Sequence, residues 1–227
     1  MVLTILILII GGVTLGKSML QAAALQSVVA DYDKYRNAIL AYRDKYNELP
    51  GDHSTASSNN SANSNGNGDS FIGDANSTTS CTLTNYQEPF YAWQHLSNAS
   101  LVPNAYTGIT TAVSPGKNVP LSKANGASFM LSNYKNTGTC ASFATIPSHV
   151  LYLGIPTSNQ LPFTGVAFTP EDAKAIDLKM DDGKPALGKV MTPTLGAQLG
   201  CATTNSVDAV YSTSTSLKCS LILFLGF

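Results

Sequence analysis

The chain has 227 residues, a formal net charge of −1 and only 12% charged side chains. That length suits one ordinary domain with an appendage rather than two full-sized domains. The lack of a basic excess leaves nucleic-acid binding without compositional support. Apolar residues are unevenly spread, and this predicts three parts: a long helix over 1–50, a polar loop over 51–80 and a globular head over 81–227.

The helix divides again at its first charge, Lys17. Residues 1–16, MVLTILILIIGGVTLG, carry no charge. Leu3, Ile5, Leu6, Ile7, Leu8, Ile9, Ile10, Val13 and Leu15 leave no polar face, a surface that suits lipid or a protein bundle. No basic region precedes this run and no small-residue cleavage site follows it, which distinguishes it from a cleaved signal peptide. Gly11, Gly12 and Gly16 each cost the helix about 1 kcal/mol relative to alanine. Small residues of this kind also allow close packing between helices.

From 17 to 50 the pattern becomes amphipathic. Leu25, Val28, Tyr32, Tyr35, Ile39, Tyr42 and Tyr46 recur at spacings of three and four, one narrow stripe that predicts packing against the head. Charged residues lie mostly on the other face, with Asp31–Lys34 and Asp33–Arg36 as expected i,i+3 pairs. Pro50 and Gly51 end the helix at about Glu48.

Residues 53–80 are nearly all Ser, Asn, Thr, Gly and Ala. Such a segment buries little apolar area, so a surface loop or partial disorder is expected. Within it Asn63, Asn65, Asn67 and Asp69, a glycine at Gly68 and a terminal Asp74 match the spacing of a calcium loop. With three asparagines where aspartates are usual, any calcium site would be weak, and an ion-free polar loop fits the same residues. No other cofactor is expected.

The head reads as α+β. Tyr86, Phe90, Trp93 and Leu96 mark a short helix ending before Pro103. Phe129–Leu131 and Val150–Ile155 read as strands. Thr169 is an N-cap with Pro170 at the first helical position and Asp172 at the capping-box position. Ala173, Ile176 and Met180 face inward, and Asp181-Asp182-Gly183 reads as a helix-ending turn, with a carboxylate pair or cation site as the alternative. Leu221–Leu225 is a last apolar strand. Cys81, Cys140, Cys201 and Cys219 form no C-x-x-C pair and predict disulfides in an oxidising compartment rather than a zinc site. No P-loop, H-E-x-x-H or G-x-S-x-G is present, and His53, His95 and His149 are widely separated. His95 reads as a capped or surface residue, and no catalytic constellation is expected.

The stretches MVLTILILIIGGVTLGKSML and YRNAILAYRDKYNELPGD resemble the N-terminal helix of type IV pilins and pseudopilins. Three head segments share the resemblance: EPFYAWQHLSNASLVPNAYTG, AIDLKMDDGKPALGK and CATTNSVDAVYSTSTSLKCSLILFL. Together they cover about half the chain in the family's order. The family's processing motif is a basic leader, then Gly, a methylated Phe, and Glu four residues later. It would lie before Met1, and restoring about seven residues there brings the apolar run to membrane-spanning length. The peptidase site and the assembly-guiding Glu therefore map to no residue of this chain.

The resemblance implies a helical spine on a mostly antiparallel sheet. It implies a subunit of a pilus (fimbrium), a homo-oligomeric helical filament built from the inner membrane by a prepilin peptidase and assembly machinery and displayed at the cell surface. It also implies loosening of the helix at Gly11, Gly12 and Gly16 in the filament. Cys201 with Cys219 would clamp the C-terminal loop, with Cys81 and Cys140 as the second pair. A minor pilin or pseudopilin of a secretion or DNA-uptake system is the nearest alternative. A membrane-tethered exported enzyme or binding domain is a more remote one.

Overall fold

The computed structural model describes residues 2–73, 87–134, 148–156, 165–193, 200–204 and 206–227, with backbone alone for 2–15. One helix, α1, runs Val2–Tyr46 without a break, about 68 Å at 1.5 Å per residue. It closes at Asn47, which takes a left-handed φ of 57° and donates its backbone N–H to the Arg43 carbonyl at 2.7 Å. Asparagine is one of the few residues that end a helix this way, because its short polar group tolerates the left-handed conformation. The expected stripe is the packing face. Leu25, Val28, Tyr32, Tyr35, Ile39 and Tyr42 are buried, and Tyr46 is partly so.

The rest of the fold supplies α2 (Ala56–Asn59), α3 (Glu88–Asn98), β1 (Ser128–Tyr134), β2 (Ser148–Gly154), α4 (Pro170–Met180), β3 (Val190–Met191) and β4 (Leu221–Phe224). The strands form one sheet in the order β1-β2-β4-β3, and every neighbour is antiparallel. The molecule is thus α+β, with its N-terminal helix packed on a four-stranded antiparallel sheet. The strands expected near 129, 150 and 221 are present, whereas β3 has no sequence signal of its own. It is two residues long and is drawn into the sheet by pairing with Leu223 and Ile222.

Aromatic contacts lock α1 to this frame. Tyr35 meets Trp93 and Phe129 edge-on at 4.9 and 5.2 Å, an arrangement that adds to plain area burial. Tyr32 donates its hydroxyl to the Phe224 carbonyl at 2.7 Å. Lys34 pairs with Asp31 as expected, at 2.5 Å. The expected Asp33–Arg36 pair gives way to a different bond: Arg36 Nε donates to the Leu225 carbonyl at 2.9 Å. A carbonyl just past the end of a strand otherwise lacks a ladder partner, and the guanidinium supplies one.

Candidate functional site

Two regions hold most of the chemistry: the part of α1 that leaves the head, and the polar layer at the opposite end of the helix's packing face. Every side chain from Gly16 to Ala23 is exposed, and burial begins only at Ala24 and Leu25. Met19 and Leu20 are each 74% exposed, more than any other large apolar side chain among the described residues. A β-carbon at Gly16 would meet nothing within 4 Å, so the head does not dictate a glycine there. The backbone is regular helix through Gly11, Gly12 and Gly16. The side chains of Leu3, Ile5, Leu6, Ile7, Leu8, Ile9, Ile10, Val13 and Leu15 lie outside the described set. Among the described residues, no helix is long and apolar enough to cross a membrane.

Where α1 emerges, an open notch of about 400 Å³ separates it from the base of the head. Leu20 and Gln21 form one wall, and Ala124, Thr169, Asp172 and Leu217 form the other. Gln21 Nε2 donates to Asp172 Oδ1 at 2.6 Å across it. Thr169 caps α4 as expected, its Oγ1 accepting from the Asp172 backbone N–H at 3.1 Å. The Asp172 side chain does not complete a capping box, because Gln21 holds it instead.

No protein-family model matches the chain, and no curated protein or solved structure is detectably similar to it.

The polar segment after Gly51 runs over the surface as expected, most of residues 54–71 being exposed or half-buried. Beyond that expectation, its backbone covers buried polar groups. Asp52 is 1% exposed, and its carboxylate accepts the backbone N–H groups of Gly68, Asp69 and Ser70 at 2.8–3.0 Å. Glu88, also 1% exposed, accepts from Asn67 and Gly73 at 2.9 and 2.8 Å. A buried carboxylate facing several N–H donors satisfies groups that a polar loop cannot bury unaided. His95 is fully buried, contrary to a surface reading. Its Nδ1 accepts from Gly51 N–H at 2.9 Å, so Nε2 carries the proton donated to the Ser64 carbonyl at 2.7 Å. Burial raises Glu88 to about 7 and lowers His95 to about 4.

The calcium-loop residues are tied into this layer separately. Asn63 Oδ1 accepts from Asn98, and Asn65 Oδ1 from the Ser57 backbone. Asn67 and Asp69 bond each other, and Asp69 also accepts from Phe71 N–H. Asp74 lies outside the described residues. What reading by oxygen spacing missed is the clasp of Asp52, Glu88 and His95. The Gly/Asn-rich run after Asp52 was the available signal, since such a run offers many free N–H groups.

Asp181 and Asp182 follow α4 in the expected turn, which Gly183 completes with a φ of 76°. Buried Asp177 joins them, its oxygen within 4.8 Å of theirs. Asp177 is already engaged, accepting from the Tyr211 hydroxyl at 2.9 Å and from Gly183 N–H at 3.2 Å. Burial raises its carboxyl to about 7. Cys201 and Cys219 are disulfide-bonded, with Cα atoms 5.1 Å apart, and Tyr211 lies in the loop they close. Cys81 and Cys140 are outside the described residues. His95, Glu88 and Asp177 each face partners within the fold, and neither open depression, at the notch or beside Pro103, is lined by any of them.

Proposed function

We propose that the protein is the structural subunit of a type IV pilus-like filament, polymerising through the apolar end of α1. The observation that supports this best is the contrast along one helix. Its upper half is sealed by the head, while Met19 and Leu20 are bare immediately below, where an uncharged run of sixteen residues begins its approach to Met1. A helix that is apolar on all sides needs another apolar shell, whether lipid or copies of itself. In this reading the monomer waits in the inner membrane with its head outside, and assembly exchanges lipid for neighbouring helices. The α+β head on a helical spine and the disulfide-closed C-terminal loop fit the same reading.

Shearing surface filaments from the native organism and identifying their protein tests it. The expected result is this protein as the bulk component. Its recovery only in trace amounts would assign it to a priming or capping role instead. Its absence from any filament would remove the reading.

A further inference from the structure

The sequence holds three Asn-Gly pairs: Asn65-Gly66, Asn67-Gly68 and Asn125-Gly126. In such a pair the glycine nitrogen can attack the asparagine side-chain carbonyl carbon, because glycine has no side chain to shield the approach. The fold treats the three differently. Gly66 donates its backbone N–H to the His53 carbonyl at 3.0 Å, and Gly68 donates to the Asp52 carbonyl at 2.9 Å and to Asp52 Oδ1 at 2.8 Å. The neighbouring side-chain carbonyls are engaged too, Asn65 Oδ1 by Ser57 N–H and Asn67 Oδ1 by Asp69 N–H. Attack at either pair requires the segment to open first, and only a small population is open at any moment. Asn125-Gly126 has neither restraint. Both residues are exposed at the centre of a β-turn, with left-handed φ of 50° and 71°, closed by Ala127 N–H on the Ala124 carbonyl at 3.0 Å. Such a turn is where Asn-Gly is favoured. Gly126 N–H and Asn125 Oδ1 have no partner among the described residues, and a β-carbon on Gly126 would meet nothing within 4 Å. Only Asn125 Nδ2 is used, donating to the Ala167 carbonyl at 2.7 Å.

We propose that Asn125 is a site of spontaneous covalent modification, deamidating through a cyclic imide, and that the fold protects Asn65 and Asn67 from the same fate. The Gly126 nitrogen gives its proton to solvent base and bonds to Asn125 Cγ. The Cγ–Nδ2 bond then breaks, and Nδ2 takes up a proton and leaves as ammonia. Water opens the imide at one carbonyl or the other, giving aspartate or isoaspartate. The change matters because of what Nδ2 holds. A carboxylate oxygen replaces a donor opposite the Ala167 carbonyl, and two like-signed acceptors there leave that carbonyl without its bond. Ala167 also donates its N–H to the Cys219 carbonyl, and Phe168 bridges to Cys219 of the disulfide. The 124–127 turn is thereby untied from the segment that joins the disulfide to α4, at a wall of the notch. None of this depends on the filament reading.

Ageing the full, disulfide-intact chain in detergent at mildly alkaline pH, with peptide mapping by mass and isoaspartate detection over time, tests the site. The expected result is aspartate and isoaspartate at position 125, forming at least about tenfold faster than at positions 65 and 67. No conversion at 125, or conversion at 65 or 67 that keeps pace with it, overturns the proposal. A parallel incubation in urea separates fold from sequence. There the three positions should convert at similar rates, and the same preference for Asn125 in the unfolded chain would overturn the protective role of the fold. Asn125→Asp reproduces the charged product and should lower the urea midpoint of the head, whereas Asn125→Ser, which adds no charge, should lower it less. Equal midpoints for the unaltered protein and Asn125→Asp would overturn the untying.

Discussion

Glu88 and His95 lie two turns apart on α3, and burial moves them in opposite directions. The Glu88 carboxyl rises from 4.5 to about 7 and that of Asp177 from 3.8 to about 7. Their contributions to stability are complete below the lower values and are lost as pH rises through about 7. His95 falls from 6.5 to about 4, so its contribution is complete above 6.5 and is lost as pH drops through about 4. Burial also raises the Asp52 carboxyl and lowers the His149 imidazole, so three carboxyl groups oppose two imidazoles between these limits. The urea midpoint of the head, followed by the fluorescence of Trp93, should therefore be higher at pH 5 than at pH 7.5, and a rise over that interval would contradict the assignment. Glu88→Gln should flatten the fall and cost about 1–3 kcal/mol, since an amide turns one N–H toward the backbone N–H of Asn67 or Gly73. The same clasp depends on close backbone crossing. A β-carbon on Gly66 would stand 2.2 Å from the Gly51 carbonyl oxygen, so Gly66→Ala should shift the urea midpoint down by several kcal/mol equivalent, about the cost of severe overpacking. An unchanged midpoint would mean that the crossing is loose.

Elements with a repeating signal were legible in the sequence, and those made by distant partners were not. The stripe from Leu25 to Tyr46 repeats over many turns, so α1, its buried face and its end near Pro50 could all be read directly. Thr169 and Pro170 likewise announce α4. By contrast, β3 exists because β4 offers it a partner, and nothing local at Val190 marks it. His95 looks like any helical histidine, since its partners, Gly51 and Ser64, lie far away in sequence. Tyr211 and Asp177 meet for the same reason, across 34 residues. The Cys201–Cys219 pairing was implied by the family resemblance and not by any local signal. Cys201–Cys219 closes a loop across 18 residues, worth about 3 kcal/mol by loop entropy. Non-reducing peptide mapping should recover that bond together with Cys81–Cys140, whereas a Cys81–Cys201 or Cys140–Cys219 peptide would break the scheme.

At the scale of the whole molecule, the proposed filament role gives one continuous helix two environments. From Leu25 upward its stripe builds the head's core with Trp93, Phe129 and the sheet. From Gly16 to Ala23 the residues are exposed, with Gln21 bonded to Asp172 at the base of the head. The two halves should therefore respond independently to substitution. If the filament proposal holds, a charge low on the helix should disturb assembly and not the head, because Ile9 lies more than a dozen residues from the first buried contact at Leu25. The most direct measurement is filament number by electron microscopy for Ile9→Asp, with membrane insertion confirmed by fractionation and the head by its Cys201–Cys219 bond. An aspartate buried among apolar helices without a partner costs several kcal/mol in every copy. The account predicts an inserted, folded protein that makes no filaments, and normal filaments from that protein would contradict it.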